Sequence, residues 1–382
     1  MKKMKIVIAV DSFKGSATSK EVSEYIEKGI KKVYSDISIK KVPIADGGEG
    51  TVEAIVESAA NGEYKFIEVQ GPLGAPVNAR YGIIGEKIAV MEMAEASGIN
   101  LVKREELNPF ATSTYGVGEV LKAILDKGIR EIYIGVGGSA TNDGGAGMLA
   151  SLGAKFYNSE NEEIGYTPSE LKNISKVDLT QVDKRVFESE IIVLSDVRNT
   201  LCGKNGASYI FGPQKGATPE GVKELDSILE KYGDIIDEVT GKKYSAEPGS
   251  GAAGGLGYAL LSVCKAQFKE GIVKIMDLIN LEETIKDADL VITGEGRIDN
   301  QSVYGKAPVG IAKMAKKYDI PVIAVVGSSD RNLEDIYKNG IDLVLDIINE
   351  PMSLDKAIKD VGQLLEFTGE KAIRAFCLGK KY

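Results

Sequence analysis

The chain has 382 residues and a net charge of −9, with 43% hydrophobic and 27% charged residues. That composition suits a globular protein of about two or three domains and lacks the basic footprint of a nucleic-acid binder. There is no histidine, which excludes Ser-His-Asp hydrolysis, imidazole acid–base catalysis and His-ligated zinc.

The first expected element is a buried strand over Lys5 to Val10, followed by the loop Asp11-Ser12-Phe13-Lys14-Gly15-Ser16. Its apolar run meets Asp11 too soon for a signal peptide. No apolar stretch approaches the ~18 residues of a membrane helix, so a cytoplasmic protein with no membrane partner is expected. Thr18 and Glu21 form a capping box, and Val22, Tyr25, Ile26, Gly29, Ile30 and Val33 keep helical spacing. Ile37 to Val42 reads as a second strand, then Asp46-Gly47-Gly48-Glu49-Gly50-Thr51, then a helix marked by Val52, Ile55, Val56 and Ala59. This opening is the grammar of a parallel sheet with helical crossovers.

The pattern then changes. Phe66 to Val69, Asn78 to Ile84 and Lys87 to Met93 are strand-like runs separated by Gly/Pro turns, which predicts a meander. A helix from Thr114 leads to a strand over Glu131 to Val136, the loop Gly137 to Gly147 and a helix starting near Asp143. The charged stretch 158–188 reads as loops and edge elements. Glu190 to Leu194 is a strand, Thr218-Pro219 opens a long helix, and Gly249 to Gly257 opens another. Strands at Leu290 to Thr293, Pro321 to Val326 and Leu343 to Ile347 restore the opening grammar, and a helix carrying Leu354, Ala357, Ile358, Val361 and Leu365 closes the chain. Two N-terminal and three C-terminal strands make a five-stranded doubly wound sheet. The expected fold class is α/β: a discontinuous parallel-sheet domain, 1–65 with 285–382, carrying a large inserted second α/β domain, 66–284.

The 44 glycines cluster in short loops after strands, where α/β proteins keep ligands. Asp11 ends the first strand and could hold Mg²⁺ or accept a hydroxyl proton, with Lys14 neutralising a phosphate; the plain alternative is a solvent-exposed, helix-capping loop. Asp46 and Glu49 are spaced as an N-cap and its N3 partner, or the glycines around them open a helix start to an anion. In Gly137 to Gly147, residues Ser139, Thr141, Asn142 and Asp143 set hydroxyl, amide and carboxylate groups between more glycines than one turn needs. Asn142 or Asp143 could equally be a helix cap. Asp196 and Arg198 follow a buried strand and could be a surface ion pair or a substrate-clamping pair. Lys215 sits in a turn, where lysine is usually solvated. Gly249 to Gly257 fits an anion site or close helix packing. After Leu290 to Ile292 come Gly294, Glu295, Gly296 and Arg297, expected as a loop. No Walker A motif occurs, and the first βαβ carries no Rossmann G-x-G-x-x-G with a partner acid. Cys202, Cys264 and Cys377 are too scattered for a disulfide framework or a zinc site.

Taken together, DSFKGS, ADGGEGT, GGSATNDGGAG, SDVRNTLCG, FGPQKGA, GSGAAGGLG and TGEGRIDNQSVYGKAP, in this order, resemble the bacterial glycerate kinases of the first type over nearly the whole chain. The resemblance implies a flavodoxin-like domain carrying an inserted α/β domain, and phosphorylation of D-glycerate by ATP and Mg²⁺. The expected product is 2-phosphoglycerate, with the 3-phosphate as alternative, in glyoxylate, glucarate or serine degradation. On that basis Arg198 or Arg297 clamps the glycerate carboxylate, Asp196 or Asp11 orients the attacking hydroxyl, and Lys14 balances phosphoryl charge. Asp46, Glu49, Asp143 and Glu295 supply Mg²⁺ ligands. Gly137, Gly138, Ser139, Thr141 and Asn142, with Gly294, Glu295 and Gly296, hold the nucleotide. Phosphoryl transfer needs positioning and charge neutralisation more than a strong base, so a histidine-free chain can perform it. A phosphatase with a nucleophilic Asp, or a ligand-closing sensor of organic acids, are the rival readings.

Overall fold

A computed structural model describes residues 3–45, 47–59, 61–299, 302 and 306–379. Its strands, in chain order, are β1 Lys5–Val10, β2 Ser38–Pro43, β3 Gly62–Gln70, β4 Pro76–Ile84, β5 Ile88–Glu92, β6 Glu131–Gly135 and β7 Lys155–Tyr157. They continue with β8 Glu163–Ile164, β9 Lys176–Asp178, β10 Glu190–Leu194, β11 Gln267–Lys269, β12 Leu290–Ile298, β13 Val322–Ser329 and β14 Leu343–Asp346. The chain divides into two compact units: residues 1–46, 53–60 and 272–382 in the first, and 47–52 with 61–271 in the second. The whole of β3 belongs to the second unit, and the helix Gly271–Leu278 enters the first at Ile272.

The first unit is built on a sheet of order β14-β13-β12-β1-β2, parallel throughout. Counted along this unit, the order is 2-1-3-4-5 read from its β2 edge, the flavodoxin-like arrangement. Ile6, Ile8, Val10, Leu290, Ile292, Ile323 and Val325 pack in one core with Ile26, Ile30, Leu365 and Ile373 from the helices Ser19–Val33 and Val361–Gly379. The alternate residues Val7, Ala9, Val291, Val322 and Ala324 are equally buried. Burial of both parities makes these strands continuous apolar runs, as expected of a sheet covered on both faces. The capping box at Thr18 and Glu21 forms.

Several elements depart from expectation, among them β3, which begins four residues early at Gly62, and β13, which runs on to Ser329. The C-terminal helix is two helices, Leu354–Lys359 and Val361–Gly379. The helix after Gly137 to Gly147 begins at Ala146, three residues late, because Gly144 and Gly145 both have positive φ. The strand expected to end at Thr293 runs on to Ile298, with Glu295 opposite Val326 and Arg297 opposite Ser328 on β13. Gly294 permits this close pairing, since a Cβ there would stand 2.0 Å from the Val325 carbonyl oxygen.

The second unit holds a six-stranded mixed sheet of order β11-β10-β6-β5-β4-β3. Its β3, β4 and β5 form the antiparallel meander, and β5, β6, β10 and β11 run parallel. One core joins this sheet to the helices Tyr115–Asp126, Pro219–Thr240 and Leu256–Ser262, centred on Leu121, Ile134, Val193, Leu229 and Tyr258. The charged stretch 158–188 contributes β8 and β9 to a small sheet with β7.

Candidate active site

In the first unit the strand order reverses between β1 and β12, the place where open α/β sheets bind ligands. Asp11 follows β1, is buried, and donates its backbone N–H to the Gly294 carbonyl at 2.9 Å. Its Oδ1 accepts the Ser12 N–H at 2.6 Å, which fixes the carboxylate beside the strand end. The position a Gly296 Cβ would take lies 3.7 Å from Phe13 Cα and 3.9 Å from the Lys14 nitrogen. The loop Asp11 to Ser16 and the strand Gly294 to Arg297 are therefore neighbours, although they lie at opposite ends of the chain. Lys14 is exposed.

Because side chains alternate along a strand, Glu295 and Arg297 share one face of β12. The Glu295 side chain is only 12% exposed, and its Oε2 lies 3.5 Å from the Lys306 ammonium. Its Oε1 is buried with no hydrogen-bond partner among the described residues. Burial pushes the Glu295 carboxyl up, and Lys306 and Ser302 pull it back. Lys306 also approaches Asp299 at 3.8 Å. The Arg297 guanidinium is exposed and pairs with Asp330 at 3.1 Å. Asp46 lies outside the described residues.

In the second unit the loop Gly137 to Gly147 is mostly internal. Thr141, Asn142 and Asp143 are fully buried and Ser139 nearly so, while Gly137 is half-buried and Gly138 exposed. Asp143 accepts four hydrogen bonds: from the N–H and hydroxyl of Thr114 at 2.7 and 2.8 Å, and from the N–H groups of Gly145 and Gly147 at 3.1 and 3.2 Å. The carboxylate thus fixes the entry of one helix and the start of the next. Asn142 Nδ2 donates to Ser208 Oγ at 2.9 Å. The Gly144 N–H donates to the Gly254 carbonyl at 3.0 Å. Gly249 to Gly257 packs backbone to backbone against this loop: a Cβ on Gly254, whose φ is +67°, would stand 1.9 Å from the Thr141 carbonyl oxygen. That resolves the two readings of the segment in favour of close packing.

Asp196 and Arg198 are both exposed after β10, and Asp196 Oδ1 accepts the Gly271 N–H at 3.3 Å. Glu49 does not cap a helix as the N3 residue. The helix after it runs Thr51–Ser58, and its first N–H groups are met by Glu92, which accepts from Gly50 at 3.3 Å and Val52 at 2.7 Å. Burial drives the Glu92 carboxyl up to about 7 against these two bonds. Glu49, Glu92 and Glu95 line one hollow of about 180 Å³ with Asn100 and Gly138. No group of three His, Cys, Asp or Glu side chains arranged to hold a metal occurs among the described residues.

Glu92, Lys306 and the manner in which Lys215 acts were not foreseen. Lys215 is 1% exposed, and its ammonium donates to Ser139 Oγ at 2.8 Å and to the Thr141 carbonyl at 2.6 Å. Burial drives it down to about 7, opposed by the charge of Asp143. The only sequence signal was its place between two glycines in a turn, which lets the backbone dive inward.

Comparison with known proteins gives the family. A family model described as the glycerate kinase family matches residues 6–377. The chain is 47% identical over 362 residues to a glycerate kinase of Halalkalibacterium halodurans, covering 94% of this chain and 95% of that one. It is 46% identical over 357 residues to the glycerate 2-kinase of Escherichia coli K12, covering 93% of each. A crystal structure assigned to glycerate kinase 2 from Salmonella typhimurium LT2 superposes with a TM-score of 0.85 at 43% identity, over 100% of both chains. A match of this extent leaves no room for the phosphatase or sensor readings: the chain belongs to the glycerate kinase family, and is a phosphotransferase.

Proposed function

We propose that the enzyme transfers the γ-phosphoryl group of ATP, with Mg²⁺, to the 2-hydroxyl of D-glycerate, giving 2-phosphoglycerate. Two small-molecule substrates are required, and a cytoplasmic role in organic-acid degradation follows from the acceptor. The observation that carries the choice of hydroxyl is the 46% identity to a protein named glycerate 2-kinase.

Roles are assigned within each unit. Glu295 is the carboxylate best suited to hold Mg²⁺, since its buried Oε1 has no partner among the described residues and magnesium takes one or two carboxylates with phosphate oxygens and water. An ion held there would supply positive charge towards the transferring phosphoryl group. Asp143 is not retained for this role, because burial and four internal hydrogen bonds occupy its oxygens. Glu49 and Asp46 remain candidate ligands. Asp11, held rigid at the switch point, orients the attacking hydroxyl, with Asp196 as the alternative. Lys14 balances phosphoryl charge. Arg297, or Arg198, clamps the glycerate carboxylate in a fork. Gly296, beside the Asp11 to Ser16 loop, lines the phosphate side of the first unit, while the buried Gly294 holds the strand in the sheet. In the second, Gly137 and Gly138 present backbone N–H groups to the nucleotide, with Ser139, Thr141 and Asn142 shaping the loop from beneath.

The reading is tested by following ADP release in the presence of D-glycerate, ATP and a controlled metal. Chelation of Mg²⁺ is expected to lower turnover by at least about a hundredfold, and restored Mg²⁺ to recover it. Metal-independent turnover would remove Mg²⁺ from the proposal, and ADP release unaffected by D-glycerate would remove the acceptor.

A further inference from the structure

We propose that Lys215 is a positioning residue for the loop Gly137 to Gly147, holding it from within so that Gly137 and Gly138 present their backbone to an anionic ligand. The clamp is geometric: one ammonium bonds Ser139 Oγ at 2.8 Å and the Thr141 carbonyl at 2.6 Å, 76 and 74 residues away in sequence. Ser139 directly follows the half-buried Gly137 and the exposed Gly138, and Thr141 lies two residues beyond it. The loop does not satisfy itself, because Thr141 Oγ1 and Asn142 Oδ1 have no hydrogen-bond partner among the described residues. The lysine is brought inward by the short helical turn Pro213–Lys215 and the left-handed Gly216 that follows it.

A fully buried lysine is a poor way to stabilise a fold. Its ammonium loses hydration, a cost that its hydrogen bonds to Ser139 and Thr141 have to offset. Burial drives the Lys215 ammonium down to about 7, which is the same cost seen from the proton's side. Asp143 opposes the shift, but its oxygens face Thr114, Gly145 and Gly147. What lysine supplies and a hydrocarbon does not is a cationic group below Gly137 and Gly138, together with donors to the Ser139 hydroxyl and the Thr141 carbonyl. Both serve an anion at the loop. The anion is taken as the nucleotide phosphates, which rests on the reading above.

The test is Lys215→Met, which keeps length and removes charge, measured for thermal midpoint and for the KM of ATP and of D-glycerate. The midpoint is expected to fall, because the Ser139 hydroxyl and the Thr141 carbonyl lose their donor, while the ATP KM rises about tenfold or more and the glycerate KM stays within about threefold. A lysine that only supported the fold would lower the midpoint and leave both KM values unchanged, and that result overturns the proposal. A rise in the glycerate KM alone keeps the positioning role and moves the ligand. Gly138→Ala is measured alongside: if it leaves the ATP KM unchanged, the nucleotide assignment fails whatever Lys215 does. Should Lys215→Met not fold, Ser139→Ala replaces it, with an ATP KM raised about threefold expected and an unchanged one contradicting the clamp.

Discussion

Replacing Glu295 with glutamine is expected to lower kcat/KM for D-glycerate about a thousandfold while leaving the thermal midpoint unchanged or slightly raised. The two halves of that result have one origin. Glu295 is nearly buried, one of its oxygens has no partner among the described residues, and burial pushes its carboxyl up. An ionised carboxylate in that state destabilises the metal-free protein. Glutamine preserves shape and removes the charge, so the fold does not suffer. Lys306 retains Asp299 at 3.8 Å. The function suffers, on the proposed role, because a buried carboxylate with an oxygen unpartnered among the described residues is gone. Steady-state kinetics and a thermal scan of the same preparation check both halves. Activity within about threefold of the natural enzyme would remove Glu295 from the machinery.

Replacing Gly254 with alanine is expected to destabilise the second unit by about 4 kcal/mol, lowering its thermal midpoint by about 10 °C. Part of this is backbone strain, since Gly254 has φ +67°, a region L-residues enter at a cost of about 1–2 kcal/mol. The larger part is steric. The added Cβ would stand 1.9 Å from the Thr141 carbonyl oxygen and 2.7 Å from Asn142 Cα, and backbone cannot yield as a flexible side chain would. The displaced carbonyl is the one Lys215 grips, so activity should fall further than stability alone explains. A midpoint within about 2 °C of the natural protein would show that the two glycine segments separate freely.

The central strands of the first unit were legible because they are buried on both faces and begin as unbroken apolar runs. Lys5 to Val10 there, and Glu190 to Leu194 in the second unit, matched to the residue. Capping chemistry was legible where cap and partner are local, as at Thr18 and Glu21. It was not legible where the cap comes from afar: Glu92 serves a helix start some forty residues earlier, and no local spacing encodes that. The extension of β12 through Gly294 to Ile298 was hidden by its glycines and charges, which have the composition of a loop. They are tolerated in a strand because the extension pairs with β13 at Glu295, Arg297 and Ile298, and Gly294 lets that strand approach. Glycine carries no side-chain signature, so an anion loop and a packing contact look alike in sequence. Gly249 to Gly257 became distinguishable only when its Cβ positions were seen to collide with Thr141 and Gly144. Lys215 looked like a solvated turn residue for a related reason: burial of one lysine depends on acceptors more than seventy residues away.

The most direct measurement joins acceptor, donor and product in one cuvette. Purified protein is incubated with D-glycerate, ATP and Mg²⁺, then enolase is added without any phosphoglycerate mutase, and phosphoenolpyruvate is followed by its absorbance. Transfer to the 2-hydroxyl predicts phosphoenolpyruvate in amounts matching the ADP released. ADP without phosphoenolpyruvate would contradict the 2-phosphate and point to the 3-hydroxyl as acceptor.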